Sequence, residues 1–530
     1  MTIFSVLQSF LKYALKPMNR RLQQELCSPR ATQKKLLSEL ITSLSATEYG
    51  QSFQLKTDDD YQAFATKIPL VNYDDLSRWI VRQQNQRRPI IAAEPILFYE
   101  KTSGSSGSAK HIPYTRGLKN SFQRMFLLWV SDLLQHLPAL KTGKIFISIS
   151  PNFRTNEVTA NGTPIGLEDD TEYLSFWTRW LLKPFLVAPV ALTKLQSPQQ
   201  FKRILALCLL AEADLEIISI WNPSFLTIML EYIQAHRTEL SEDLKKGMVT
   251  AEGFQFRLKP MSESRLQLLT QPQLAWSQIW PQLKLISCWN SAQANAEAQN
   301  LTALLPNVFL QGKGLLATEA PMTFPLISAN GHVPLPSEIF YEFITDEGET
   351  QLLHELKTGG EYEIVITQKS GLSRYRIGDR VRVKHFYEAT PCLEFIGRSD
   401  AVSDLVGEKL NEIFVRDCLS QLNLPVGSFQ LLVPLKHPTR YLLFVDHQLC
   451  DPVQFTAEID QLLSQNYHYR NARLLGQLPS VQVVTKENLR TEYYDFWQER
   501  GLKWGDIKQQ AMLKSPDDGG AFIASREYKL

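Results

Sequence analysis

"LEIISIWNPSFLTIMLEYIQAH", residues 215–236, changes its period halfway. Residues 215–221 are a short apolar run rich in isoleucine, the pattern of a strand buried on both faces. Asn222-Pro223 then offers a helix cap and a first-turn proline for the segment that follows. A strand that leads directly into a helix is half of a βα unit. Upstream, "GKIFISIS" (143–150) reads as another strand; downstream, "LKLISCWN" (283–290) does so too, followed by the Ala-rich helix "SAQANAEAQNLTALL". This alternation predicts an α/β sheet whose strand-end loops carry the chemistry.

Residues 1 to about 90 read as mainly helical, with "ATQKKLLSELITSLSATEYG" an amphipathic segment ended by Gly50. "EYEIVIT" (361–367) and "RVRVKHF" (380–386) predict β-hairpin structure. After about residue 400 the pattern resets. A helix near 409–422 precedes strands in "SFQLLVPL" and "RYLLFVD" and a helix over "PVQFTAEIDQLLSQNYHYR". The fold class expected is α/β, with a large N-terminal domain (1–398) of mixed sheets and flanking helices. A small C-terminal α+β lid domain (399–530) completes it.

Composition narrows the function. In 530 residues, Lys plus Arg number 56 and Asp plus Glu 55, a net charge of +1, so no basic field points to nucleic acid. The six cysteines (Cys27, Cys208, Cys288, Cys392, Cys418, Cys450) form no C-x-x-C, and the nine histidines no H-E-x-x-H. Neither a disulfide framework nor a dedicated metal cage is expected, and a reducing cytoplasm fits. At the N-terminus, Phe4, Leu7, Phe10, Leu11 and Leu15 follow the spacing of an amphipathic helix. Core packing is the expected use of that stripe, with a membrane-surface or partner helix as the alternative. The segment is too short and too polar to span a bilayer, so membrane association is not expected; a monomer or weak dimer is.

Four further stretches carry candidate chemistry. "FYEKTSGSSGSAKHIPYT" (98–115) sets a row of small residues before Lys110. Such a loop is either a flexible linker or a row of backbone N–H groups suited to a polyphosphate, and its apolar flanks favour the second. Gly104 and Gly107 do not give the G-x-x-x-x-G-K-[ST] spacing of phosphate-loop NTPases. "GLLATEAP" (314–321) could put a hydroxyl on a phosphate and a carboxylate on Mg²⁺; alone, it reads as a helix start. In "RYRIGDRVRV" (374–383), Gly378-Asp379 is a plain turn or a carboxylate for ribose hydroxyls; taken singly, the turn wins. "FIGRSDAVSDLVGEKLNE" (395–412) ends a strand at Gly397-Arg398, and the run beyond it is a hinge or a solvated interdomain loop.

In order and spacing these four stretches resemble the acyl-adenylating superfamily of acyl-CoA synthetases, peptide-synthetase adenylation domains and luciferases. "ATEYGQSF", "FATKIPLVNYDDLSRWI" and "TSGSSGSAKHIPYT" look like the N-terminal run of the Gretchen Hagen family, the auxin-responsive acyl acid–amido synthetases of plants and their bacterial relatives. The resemblance runs from about residue 30 to the C-terminal domain, and the chain resembles a bacterial-type member.

That resemblance implies ATP- and Mg²⁺-dependent adenylation of a small-molecule carboxylic acid, then acyl transfer to an amino acid amine. It implies that Thr102, Ser103, Gly104, Ser105, Ser106, Gly107 and Lys110 cradle the β- and γ-phosphates. Thr318 would touch the α-phosphate, Glu319 hold Mg²⁺, and Asp379 accept from the ribose with Arg398 nearby. A catalytic lysine from the C-terminal domain is also implied: Lys514 is favoured over Lys508, with Lys409 on the hinge side. There are two departures. Leu315 stands where an aromatic usually heads the Thr/Ser-Glu motif, and "LLATE" has Ala-Thr where plant members tend to have paired serines. Two alternatives stay open, an acyl-CoA (thioester) ligase and a non-catalytic nucleotide- or acyl-binding protein. The aromatic-rich segments 173–182 and 220–225 could line an acyl pocket or simply pack in the core.

Overall fold

The structure, a computed structural model, describes residues 3–101, 110–137, 140–148, 157–166, 183–259, 261–291, 294–399, 401–425, 427–502, 504, 507–526 and 528. Its centre is the predicted α/β unit. Strands Phe309–Gly312, Leu285–Cys288, Leu215–Ser219 and Lys144–Ile147 lie side by side in that order, all parallel. Every residue of the two middle strands is buried, as a sheet covered on both faces requires. Asn222 caps the helix Pro223–Ala235, its Oδ1 accepting from the Ser224 N–H at 3.1 Å.

A second core joins the N-terminal helices, the long helix Arg116–His136 and a five-stranded antiparallel sheet. That sheet runs Thr350–Leu352, Phe340–Ile344, Glu361–Thr367, Tyr375–Tyr387 and Thr390–Arg398 in spatial order. The two predicted hairpin segments fall on its neighbouring third and fourth strands. The amphipathic helix that starts at Pro29 stops at Ser45, ahead of Gly50. Gly50 instead sits in a short helix, Glu48–Ser52, where a Cβ would lie 2.1 Å from the Leu44 carbonyl oxygen. In the first helix, Ile3–Ala14, Phe4 and Leu7 pack on the core, whereas Phe10 is 61% and Tyr13 80% exposed. The stripe is therefore only partly a core stripe. No described helix is long and apolar enough to cross a membrane.

The C-terminal part is built on strands Gln430–Lys436, Thr439–Val445 and Gln482–Thr485, covered by helices on both faces. The single helix expected over 452–470 is two, Pro452–Leu463 and Tyr467–Leu474. The break has a local cause: Asn466 caps the second helix, accepting from the Tyr469 N–H at 3.0 Å. This part docks against the helix Pro223–Ala235. Trp504 meets Phe225 at 4.9 Å between ring centroids, Asn222 Nδ2 donates to the Tyr494 hydroxyl at 3.1 Å, and Arg490 pairs with Glu297 at 2.7 Å. In the predicted hinge run, Glu408 is buried rather than solvated, accepting from the N–H groups of Leu405 and Val406 and from the Tyr441 hydroxyl.

Candidate active site

The loop that includes Lys110 closes a hairpin. Phe98–Lys101 pairs antiparallel with His111–Tyr114, Phe98 opposite Tyr114 and Lys101 opposite His111. Two strands paired in one sheet exclude an interdomain linker between them. Thr102, Ser103, Gly104, Ser105, Ser106 and Gly107 lie outside the described residues. Lys110 is half-buried, its Nζ 5.7 Å from the centroid of the Tyr73 ring. The Tyr73 hydroxyl accepts from the His111 N–H at 2.7 Å, which ties that ring to the base of the loop.

A second hairpin delivers the Thr-Glu pair. Thr318 and Glu319 form the two-residue turn between Leu316–Ala317 and Ala320–Pro321, so the helix-start reading is corrected to a β-turn. The Tyr114 hydroxyl donates to the Thr318 carbonyl at 2.6 Å and so joins the two hairpins. Leu315 is buried, and its N–H donates to Thr323 Oγ1 at 2.7 Å.

The antiparallel sheet supplies the third piece. Asp379 is not in a turn but inside the strand Tyr375–Tyr387, directly opposite Arg398. Arg398 Nη1 lies 3.3 Å from Asp379 Oδ1, and its Nη2 donates to the Ile377 carbonyl at 2.9 Å. Gly378 has φ +83°, and its carbonyl accepts from both the N–H and the hydroxyl of Ser399. That left-handed residue mimics a turn in sequence while only distorting the strand.

The three pieces converge on Glu319. Burial raises the affinity of its carboxyl for a proton, Lys110 and Arg398 oppose the rise, and Asp379 adds to it. The buried Tyr375 hydroxyl hydrogen-bonds to Glu319, and burial together with that carboxylate pushes its own ionisation far up. Lys110, Glu319, Asp379 and Arg398, far apart in sequence, thus share one site. Tyr73, Tyr114 and Tyr375 hold it; each lies within one of the motif stretches, but the sequence assigned none of them a role. Two cations, two carboxylates and a row of tyrosines suit a polyanion bound with a hard cation. No group of three or more His, Cys, Asp or Glu residues capable of holding a metal exists among the described residues. The donor set fits an ion that takes one carboxylate and completes its shell with phosphate oxygens and water, as Mg²⁺ does.

The C-terminal lysines fall elsewhere. Lys514 is half-buried between Met512, which bridges to Leu432, and the helix Pro516–Ser525. No hydrogen bond or ion pair joins it to Glu319 or Asp379 among the described residues. Lys508 Nζ lies 4.9 Å from the Trp289 ring centroid, at the end of a central strand, and Lys409 is exposed with φ +45°. Of the aromatic segments, 173–182 lies outside the described residues; in 220–225, Phe225 is core and Trp221 half-buried at a strand end.

The chain is similar to known proteins over most of its length. Residues 19–310 match the GH3 family N-terminal domain and residues 332–398 the GH3 family central domain. The chain is 26% identical over 440 residues to indole-3-acetic acid-amido synthetase GH3.3 of Arabidopsis thaliana, covering 74% of this chain and 71% of that protein. It is 24% identical over 451 residues to the 4-substituted benzoates-glutamate ligase GH3.12 of the same plant, covering 78% and 76%. The fold superposes on AtGH3.15 acyl acid amido synthetase with a TM-score of 0.78 at 19% identity over 95% of each chain. On a 2-hydroxyisobutyryl-CoA ligase the TM-score is 0.53 at 12% identity, over 95% and 94%. The relatives are ligases, most of them acyl acid–amido synthetases. With a family model spanning more than half its length, this chain belongs to the GH3 family.

Proposed function

We propose that the protein is an ATP- and Mg²⁺-dependent acyl acid–amido synthetase. The observation that carries this reading is the convergence of Lys110, Asp379 and Arg398 on the buried Glu319, in a chain of this family. A carboxylate oxygen of the acid attacks the α-phosphorus of ATP and pyrophosphate leaves, giving the acyl-adenylate. The amine of an amino acid then attacks the acyl carbonyl, loses a proton and expels AMP.

Both reactants of the first step are anions, so the site must offset their repulsion and hold them in line. Lys110, with the loop from Thr102 to Gly107, takes the β- and γ-phosphates. Thr318, fixed through its carbonyl by Tyr114, faces the α-phosphate. Asp379, paired with Arg398, accepts from the ribose hydroxyls. Glu319 would hold Mg²⁺, which when bound neutralises charge on the phosphate oxygens. Leu315 offers adenine apolar contact in place of an aromatic face. The part beyond residue 398 acts as a separate lid that brings Lys514 to the α-phosphorus. Its docking on the helix Pro223–Ala235 through Trp504 and Tyr494 is one orientation of that lid. Six free thiols suit a reducing cytoplasm.

The test is pyrophosphate release from ATP and Mg²⁺ across a panel of carboxylic acids, with and without amino acids. Acid-dependent release with an amide product is the expected result. A product that forms only with CoA would move the enzyme to the thioester ligases, and no release with any acid would overturn adenylation.

A further inference from the structure

The first helix, Ile3–Ala14, contributes none of the residues of the site and precedes residue 19, where the match to the family's N-terminal domain begins. One of its faces is anchored. The Phe4 ring lies against Gly143, where an added Cβ would come within 2.2 Å of it, and meets Phe185 at 5.6 Å between ring centroids. Leu7 packs on the same core, and Leu15, just past the helix, is buried. That anchoring fixes which face is turned to solvent. Val6, Phe10 and Tyr13 recur at intervals of four and three residues, so they form one stripe, and each is more than half exposed. Three large apolar side chains on one exposed face make a patch, unlike the scattered single residues of an ordinary surface.

The side chains bordering the stripe carry one sign of charge. Lys12, and Lys16 and Arg20 on the next helix, Lys16–Cys27, are all exposed. At about 100° per residue, Lys12 and Lys16 fall beside Tyr13 on the flank away from Phe10. No Asp or Glu occurs before Glu25, and that carboxylate is buried and paired with Arg21 at 2.9 Å and Arg124 at 2.8 Å. The whole chain carries only +1, so this cluster is local and not part of a general basic field. A second copy of the helix would set cation against cation and offers no carboxylate to pair with. An anionic bilayer surface complements both features. Its acyl boundary takes Val6, Phe10 and the Tyr13 ring, and its headgroups take the cations.

We propose that the helix Ile3–Ala14 docks the protein on an anionic phospholipid surface, which is the character of a cytoplasmic leaflet. The helix lies in the interface plane without spanning the bilayer. Val6, Phe10 and Tyr13 face the acyl boundary, while Lys12, Lys16 and Arg20 engage the headgroups. Core packing thus remains the use of Phe4, Leu7 and Leu15, and the membrane-surface alternative takes Phe10. This inference is independent of the adenylation reading.

The test is co-sedimentation of the full chain with vesicles of phosphatidylcholine, alone or with about 30 mol% phosphatidylserine, at low and at physiological salt. Each exposed cation is worth about fivefold at such a surface, so the three favour the anionic vesicles by about 100-fold at low salt and by less as salt rises. Phe10→Ser lowers binding to anionic vesicles by about tenfold. Replacing Lys12, Lys16 and Arg20 together by Gln removes the preference for phosphatidylserine. These side chains are exposed, so the variants keep the wild-type Tm, which separates lost binding from lost folding. Wild-type protein that stays in the supernatant with anionic vesicles overturns the inference, as does equal binding to both vesicle types. Variants that bind as the wild type does overturn it too, because the contact then lies elsewhere on the protein. Self-association that Phe10→Ser abolishes, without vesicle binding, would give the stripe to a second copy and overturn the lipid assignment. Should Phe10→Ser fail to fold, Tyr13→Ser repeats the comparison, and the wild-type ratio between the two vesicle types still decides.

Discussion

Lys110 and Lys313 each lie against aromatic rings, yet they are placed in opposite ways. Lys110 ends a loop of small residues, is half-buried beside one tyrosine, and is among the charges that act on Glu319. Lys313 is buried, its Nζ framed by two tryptophans and bonded to a serine 94 residues away in sequence. One cation is presented to an incoming polyanion by a hairpin loop. The other is held by strand ends at the sheet edge. The contrast teaches that positive charge is delivered here by two devices, one made of consecutive residues and one made only by the fold.

The largest expected effect would sharpen this contrast by adding a third lysine that belongs to neither device. Lys514→Ala should lower adenylate formation by about 10²–10³, the usual loss of one preorganised charge at a transition state. A supplied acyl-adenylate should still be converted to amide when an amino acid is present. Equal loss in both steps would show damage to folding or acceptor binding. If Lys514→Ala is silent and Lys508→Ala loses adenylation instead, the lysine over Trp289 takes the role.

Lys110→Ala probes the loop device. It should weaken ATP use by about 10- to 150-fold in kcat/KM for ATP. It should leave the preference among acids unchanged. A Lys110→Ala enzyme with normal ATP-dependent turnover would remove the loop from the phosphate site and break the comparison.

The smallest effect is one of stability. Burial raises the Glu319 carboxyl above its ordinary value of 4.5, so its ionisation opposes folding. The stability this group allows is fully present below 4.5 and is lost as pH rises through the higher folded value. Glu319→Gln has nothing to titrate there. With nucleotide and metal removed, its Tm should exceed that of the wild type at neutral pH, and the difference should vanish below pH 4.5. The same variant should adenylate poorly and demand more Mg²⁺. A Tm difference independent of pH would mean that Glu319 is not held against its charge.

Much of this was legible in the sequence because the informative residues are neighbours. The Asn222-Pro223 cap, the isoleucine-rich strands and the four motif stretches each lie within about twenty residues, where period and turn chemistry act directly. Asp379 misled for a physical reason: Gly378-Asp379 has turn composition, but the pairing of Asp379 with Arg398 across the sheet carries the strand through it. Tyr73 and Tyr375 act through contacts to distant segments that no local pattern encodes. The cluster of Trp129, Trp221, Trp289 and Lys313 is assembled from a helix and three strand ends, and in sequence each member looks like an ordinary core residue.

The central claim is that a carboxylate oxygen of the acid attacks the α-phosphorus of ATP. It is tested most directly by turning over an acid labelled with oxygen-18 in its carboxylate, in the presence of ATP, Mg²⁺ and an amino acid. Adenylation followed by amide formation leaves one labelled oxygen in AMP and the other in the amide. Label in inorganic phosphate or pyrophosphate, with unlabelled AMP or ADP, would contradict it.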